Sequence, residues 1–357
     1  MFTKLNLKVF ETLKSANRNA SVDFFRALAI LSVVIYHFKR GLLYGYLGVD
    51  LFFVISGLLI GGLLVKDLKS GQPINFFKFI LQRGFKIWPS YFIFLILGSV
   101  LANILYQDIQ PIQIIPLNDY ARYVFFYLNY TGNAAAAFAH LWSICVEEHF
   151  YIMLPLLFIL IQKLFNNKIY LFSAVSAVIA AGIIFKYLSH NFTKSTDVTS
   201  GTHNRIDALA WGVLLSLIVA FYPDLIKPKL TKIILFTVGL IMFCFALLIR
   251  YFTDSINYIE IGFHSIVPFC FFLMLAGTYY MNIRFIGSFR FIAYFSYNWY
   301  LWHQLFGFAI TYYFGKDYLG FIIYITISFS TAILFTIIVE EPFLSMRKSF
   351  LTRLFPK

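Results

Sequence analysis

Apolar runs of about 17 to 25 residues recur along almost the whole chain, each closed by a short polar or basic stretch. A run of roughly that length spans the hydrocarbon of a bilayer as a helix. The pattern predicts helices near 21–38, 48–65, 88–106, 138–162, 169–188, 206–222, 231–250, 262–281, 291–313 and 319–339. An even number of spans puts both termini on one side. The two longest connections are a basic one, 66–87, and one at 107–137 whose RYVFFYLNY is aromatic enough to lie in the membrane interface.

The first two runs break the apolar pattern in an informative way. In SVDFFRALAILSVVIYHF, Arg26 and His37 are eleven residues apart. On a continuous helix that spacing brings both side chains to one face, about 16 Å apart along the axis. Asp50 opens the next run in GVDLFFVISG. Ionisable groups in such segments are costly unless they face a protein-lined cavity. Taken singly, Arg26 snorkelling to a headgroup and His37 capping the far end account for them equally well. Taken together with Asp50 they predict a polar cavity inside an all-α integral membrane protein of about ten spans.

Composition agrees. Sixty per cent of the 357 residues are hydrophobic and 13% charged, with mean hydropathy +0.77, which excludes a soluble domain. The net charge of +13 is scattered between the runs, the pattern of membrane orientation rather than of nucleic-acid binding. Of the 29 lysines and arginines, 20 fall on one set of connecting segments and termini, eight on the other, and Arg26 inside a span. That bias predicts both termini in the cytoplasm, with a basic segment at 1–20, one membrane domain at 21–343, a basic amphipathic tail at 344–357 and no separate soluble domain. Cys145, Cys244 and Cys270 lie in apolar runs without CxxC spacing and read as buried packing residues.

Four further constellations carry polar chemistry. Arg83 and Lys86 in QRGFKIWP are one helical turn apart, a spacing that could grip phosphates but that by itself is better explained as anchoring at the cytoplasmic face. HLWSICVEEHFY holds His140, Glu147, Glu148 and His149 without the HExxH metal spacing, so a hydrogen-bonded lining is expected rather than a metal site. In THNRIDALAWG, Arg205 and Asp207 either pair with each other or flank the interface. In SYNWYLWHQ, His303 by itself reads as an aromatic-belt histidine. In VEEPF, Pro342 is expected to stop the last span, with Glu340 or Glu341 pairing with a cytoplasmic arginine.

These blocks in this order, DFFRALAILSVVIYH, GVDLFFVISG, RGFKIWP, HLWSICVEEHFY, RIDALAWG, SYNWYLWH and VEEPF, resemble the membrane acyltransferase 3 family, bacterial proteins that acylate cell-surface glycans and related acceptors. The resemblance runs from about residue 21 to 343. It implies a multi-pass protein of the bacterial cytoplasmic (inner) membrane, with acyl-CoA, chiefly acetyl-CoA, as co-substrate, no metal, and a glycan, lipid-linked sugar or other hydroxyl compound as acceptor. It further implies His37 as catalytic base with Arg26 as its companion, Arg83 and Lys86 as donor-binding residues, an acidic role for Glu147, and a polar lining that includes Asp50, Ser56, Arg205, Asp207 and His303. Lys86 stands where the family commonly has arginine, Cys145 where it has a small hydroxyl residue, and His149 where it has glutamine. Asp50 or Glu147 is the expected carboxylate that orients His37. Direct transfer and a covalent acyl-histidine or acyl-serine both fit, with Ser56 the serine candidate. The alternative is a proton-coupled transporter or flippase using the same intramembrane charges.

Overall fold

The computed structural model describes residues 18–39, 42–107, 113–132, 134–165, 167–193, 200–253, 257–281, 283 and 286–355. The expected basic segment lies outside the described residues up to residue 17, as do Arg40, Lys194, Arg284 and Lys357 of the charge count. Each of the ten expected positions is helical: α1 (Ala20–Lys39), α2 (Gly48–Lys69), α3 (Phe76–Tyr106), α4 (Trp142–Leu164), α5 (Ile169–Thr193), α6 (Ile206–Phe221), α7 (Lys229–Phe252), α8 (Asn257–Thr278), α9 (Ile286–Phe314) and α10 (Tyr318–Phe335). Among the described residues, eight helices are long and apolar enough to cross a membrane. The two that fall short are α6, at 16 residues, and α9. Helix α9 carries Ser296, Asn298, His303 and Gln304 among its buried positions. A helix enclosed by others need not be apolar on every face.

Two boundaries differ from expectation. Helix α3 begins at Phe76, where the Asn75 side chain accepts from Lys78 N, so Arg83 and Lys86 lie on a helix rather than in a connection. Nor does Pro342 end the last span. The chain passes from α10 through a π-turn at Thr336–Glu340 into α11 (Glu341–Leu354), with Pro342 in the first turn of α11 and helical residues on both sides of it.

Helices α1 and α2 form the centre. One apolar cluster joins them to α3, α4, α5, α6, α9 and α10, and another joins them to α6, α7 and α8. Helices α2 and α6 meet with almost no space between backbones. A Cβ on Gly57 would lie 1.9 Å from Leu209 O, and one on Gly212 would lie 2.0 Å from Val54 O. Small residues permit such approach in membrane bundles. The segment before α4 is irregular but packed on α3: Tyr91 donates to Tyr123 O at 2.8 Å, and Tyr123 Oη accepts from Ala135 N at 3.0 Å. Tyr123 is buried while Phe125 is 72% exposed, so only part of the aromatic run is left to face an interface. Burial pushes the Tyr123 phenol up to about 12, and it stays protonated at neutral pH. Cys145 and Cys270 are buried, whereas Cys244 is exposed on α7 rather than packed inside.

Candidate active site

Helices α1, α2, α3, α4 and α9 enclose a cavity of about 860 Å³, counting its open mouth, whose polar lining includes Arg26, Ser56, Arg83, Lys86, Ser143 and Glu147. Arg26 reaches it from α1 and donates from Nε to Ser296 Oγ on α9 at 3.0 Å. Arg83 Nε is buried without a hydrogen-bond partner, and its guanidinium carbon stands 6.0 Å from the Tyr151 ring centre. Among the described residues, neither arginine has a carboxylate within ion-pair distance. Two guanidinium groups therefore face one space with spare donors, which suits an anionic ligand.

Lys86 is engaged differently. It pairs with Glu340, whose other oxygen accepts from Asn298 Nδ2 at 2.8 Å. The π-turn places that carboxylate: Asn298 Nδ2 also donates to Thr336 Oγ1, 3.0 Å away, at the start of the same turn. Glu340 thus meets a lysine rather than an arginine, and Glu341 accepts from Tyr294 at 2.5 Å. Glu147 accepts from Tyr151 Oη at 2.5 Å, which fixes the direction of the next link, so Ser56 Oγ donates to Tyr151 Oη at 2.9 Å. Glu148 lies on another side of α4 and accepts from Trp88 Nε1 at 3.0 Å.

The histidines form a second group, beyond Tyr300. His37, on the same α1 face as Arg26, also meets α9: His303 Nε2 lies 3.2 Å from His37 Nδ1. The shared stripe expected on α1 is thus the face applied to α9, pinned at Ser296 and again at His303. Acceptors fix the protons. His303 Nδ1 faces Tyr300 O at 2.7 Å, and a carbonyl can only accept, so Nδ1 carries the proton and Nε2 of the neutral ring is an acceptor. His37 Nδ1 faces Val33 O at 2.9 Å as well as that His303 nitrogen. His37 therefore carries its proton on Nδ1, shared between two acceptors, and Nε2 is its basic nitrogen. His140 belongs to the same group: its Nε2 donates to Leu301 O at 3.0 Å, and its ring centre is 5.1 Å from that of His303. Tyr300 separates this group from the cavity, with Oη donating to His140 O at 2.9 Å and 2.7 Å from Ser143 Oγ.

The expected orienting carboxylate, Asp50 or Glu147, is not among the described partners of His37 Nδ1, which are an imidazole and a backbone carbonyl. Glu147 is held by Tyr151, and Asp50 lies in a separate ionic cluster between α2, α5, α6 and α8. There Arg205 Nη1 lies 3.2 Å from Asp50 Oδ1, and Arg205 Nη2 donates to Asp50 Oδ2 at 3.2 Å. Lys186 pairs with Asp207 at 2.5 Å and donates to His264 O at 2.9 Å. Arg205 and Asp207 are therefore not partners of each other. Each binds a residue from another helix. Lys186, counted above as a charge outside the membrane, is fully buried. Ser296, Tyr300 and Tyr151 had no sequence signal, since each is one hydroxyl among many in aromatic runs. Among the described residues, no group of three His, Cys, Asp or Glu is arranged to hold a metal ion.

A family model for an acyltransferase domain, acyltransferase 3, matches residues 19–341. The chain belongs to this family. It is 29% identical over 345 residues to a Staphylococcus aureus (strain MSSA476) protein named "Putative O-acetyltransferase SAS0844", covering 90% of this chain and 56% of that protein. It is 27% identical over 321 residues to O-acetyltransferase OatA of Staphylococcus aureus (strain NCTC 8325 / PS 47), covering 84% of this chain and 52% of that protein. The chain spans about half the length of these relatives. No solved structure matches it. Family and fold together make it a multi-pass membrane protein of the acyltransferase 3 family.

Proposed function

We propose that this acyltransferase moves an acyl group, acetyl in the simplest case, from an acyl-CoA to a hydroxyl of a cell-surface glycan or lipid-linked sugar, with His37 as general base. The observation behind this reading is the pairing of two sites on one helix face. Among the described residues, Arg26 and Arg83 bring guanidinium groups without a carboxylate partner to one cavity, Arg83 with Nε unsatisfied. About 16 Å further along α1, His37 holds a proton on Nδ1 and a lone pair on Nε2. The donor's phosphates would sit at the arginines, and its long flexible arm would carry the thioester toward His37. Tyr300 would have to swing aside to admit it.

In the transfer, His37 Nε2 takes the hydroxyl proton as the oxygen attacks the thioester carbonyl carbon. A C–O bond forms, the C–S bond breaks, and the CoA thiolate takes the proton from the imidazolium. Such general-base help contributes about 10²- to 10⁴-fold. Names of the relatives support an O-acetyl product. The charge bias supports donor entry from the cytoplasmic side of a bacterial inner membrane, with both termini on that side.

Coenzyme A titration onto the purified protein tests the donor half. Charge-assisted hydrogen bonds contribute about 1.5–3 kcal/mol, so Arg83→Ala and Arg26→Ala are each expected to weaken binding about 10- to 150-fold, while His37→Ala binds like the wild type. Equal binding by all four proteins would contradict the assignment.

A further inference from the structure

We infer that His303 is the positioning residue for His37, a neutral imidazole doing what a carboxylate does in Ser-His-Asp sites. The inference rests on the reading of His37 as base and goes beyond it. His303 is completely buried, so both of its ring nitrogens need partners inside the protein. Nδ1 has Tyr300 O at 2.7 Å, and Nε2 has His37 Nδ1 at 3.2 Å. The neighbouring backbone is tied to α4 and the turn before it, since Leu301 O accepts from His140 Nε2 and the Tyr300 hydroxyl bonds to His140 O and Ser143. The His303 ring is therefore held on both sides of its α9 turn and presents a fixed lone pair to His37.

This arrangement sets the tautomer of His37 and directs its Nε2 lone pair. When Nε2 takes a proton, the Nδ1–H bond gains strength at two acceptors already in place, Val33 O and His303 Nε2. Neither Asp50 nor Glu147 takes part in this contact. Asp50 is consequently available for Arg205 and Glu147 for Tyr151.

The test compares His303→Phe, His303→Gln and His37→Ala with the wild type in detergent, using acetyl-CoA and reading CoA release with kcat and KM separated, beside coenzyme A affinity. Phe fills the space without an acceptor, whereas the Gln amide oxygen reaches the place of Nε2. His303→Phe is expected to bind coenzyme A within twofold of the wild type and to lose kcat by about 10²-fold, the lower end of general-base contributions. His303→Gln is expected to regain at least tenfold of that loss. If His37→Ala is inactive but His303→Phe keeps wild-type kcat, or if Gln and Phe lose kcat equally with coenzyme A binding intact, the positioning role is overturned while the base assignment stands. Full activity in His37→Ala overturns both.

Discussion

Whether an ionisable residue inside this bundle is paired, and with what, decides its part. Arg83, with Nε unsatisfied, is read as a ligand-binding group. Lys86, paired with Glu340, is read chiefly as a structural one. Removing either member of a buried pair strands the other at a cost of about 3–5 kcal/mol. Glu340 is 2% exposed, so Lys86→Met is expected to lower the melting temperature in detergent, and the double variant Lys86→Met/Glu340→Gln to recover most of it. Arg83→Lys is expected to bind coenzyme A more weakly than the wild type despite keeping the charge, because the planar fork is lost; equilibrium titration reads this. The spacing of Arg26 and His37 made their common face legible from sequence. The groups they meet were not legible, because helical period says which residues share a face of one helix and nothing about which helix is applied to it. Hence the expected carboxylate at His37, and the unsuspected Ser296, Tyr300 and Lys186.

At the scale of elements, the positions of all ten helices followed from apolar runs, and the errors fell where chemistry interrupts them. Helix α3 starts early because its first turns carry Arg83 and Lys86 toward a cavity rather than lipid. The π-turn at Thr336–Glu340 has no sequence period of its own, yet it delivers Glu340 to Lys86 and Asn298. The α2–α6 contact is the tightest joint around the site. Adding a side chain at Gly57 or Gly212 forces backbone apart, and overpacking costs about 1–3 kcal/mol. Gly57→Val is therefore expected to lower thermal stability and to reduce activity, since Ser56 beside it lines the cavity; a thermal melt and a transfer assay on the same preparation check both. On the far side of α2, Lys186→Met alone is expected to destabilise by leaving Asp207 buried and unpaired. Asp207→Asn in the same chain is expected to restore most of the loss.

For the molecule as a whole, α1 and α2 separate two polar systems. One, with α3, α4 and α9, combines the cationic cavity and the histidine group; the other, with α5, α6 and α8, closes its charges on themselves. Burial of Lys186 and Arg205 removes two of the eight charges counted on the outer side, leaving the bias toward cytoplasmic termini intact. Reporter fusions at both ends are expected to give cytoplasmic signals. Acyl transfer is proposed to depend on His37 above a donor site, and isotope transfer from the donor tests that dependence. Membranes holding equal amounts of folded wild type or His37→Ala are supplied with acetyl-labelled acetyl-CoA, and label on envelope glycan and lipid-linked sugar is counted. Label is expected with the wild type, with a loss of at least about 10²-fold in the variant; equal labelling by both preparations would contradict a role for His37 in the transfer.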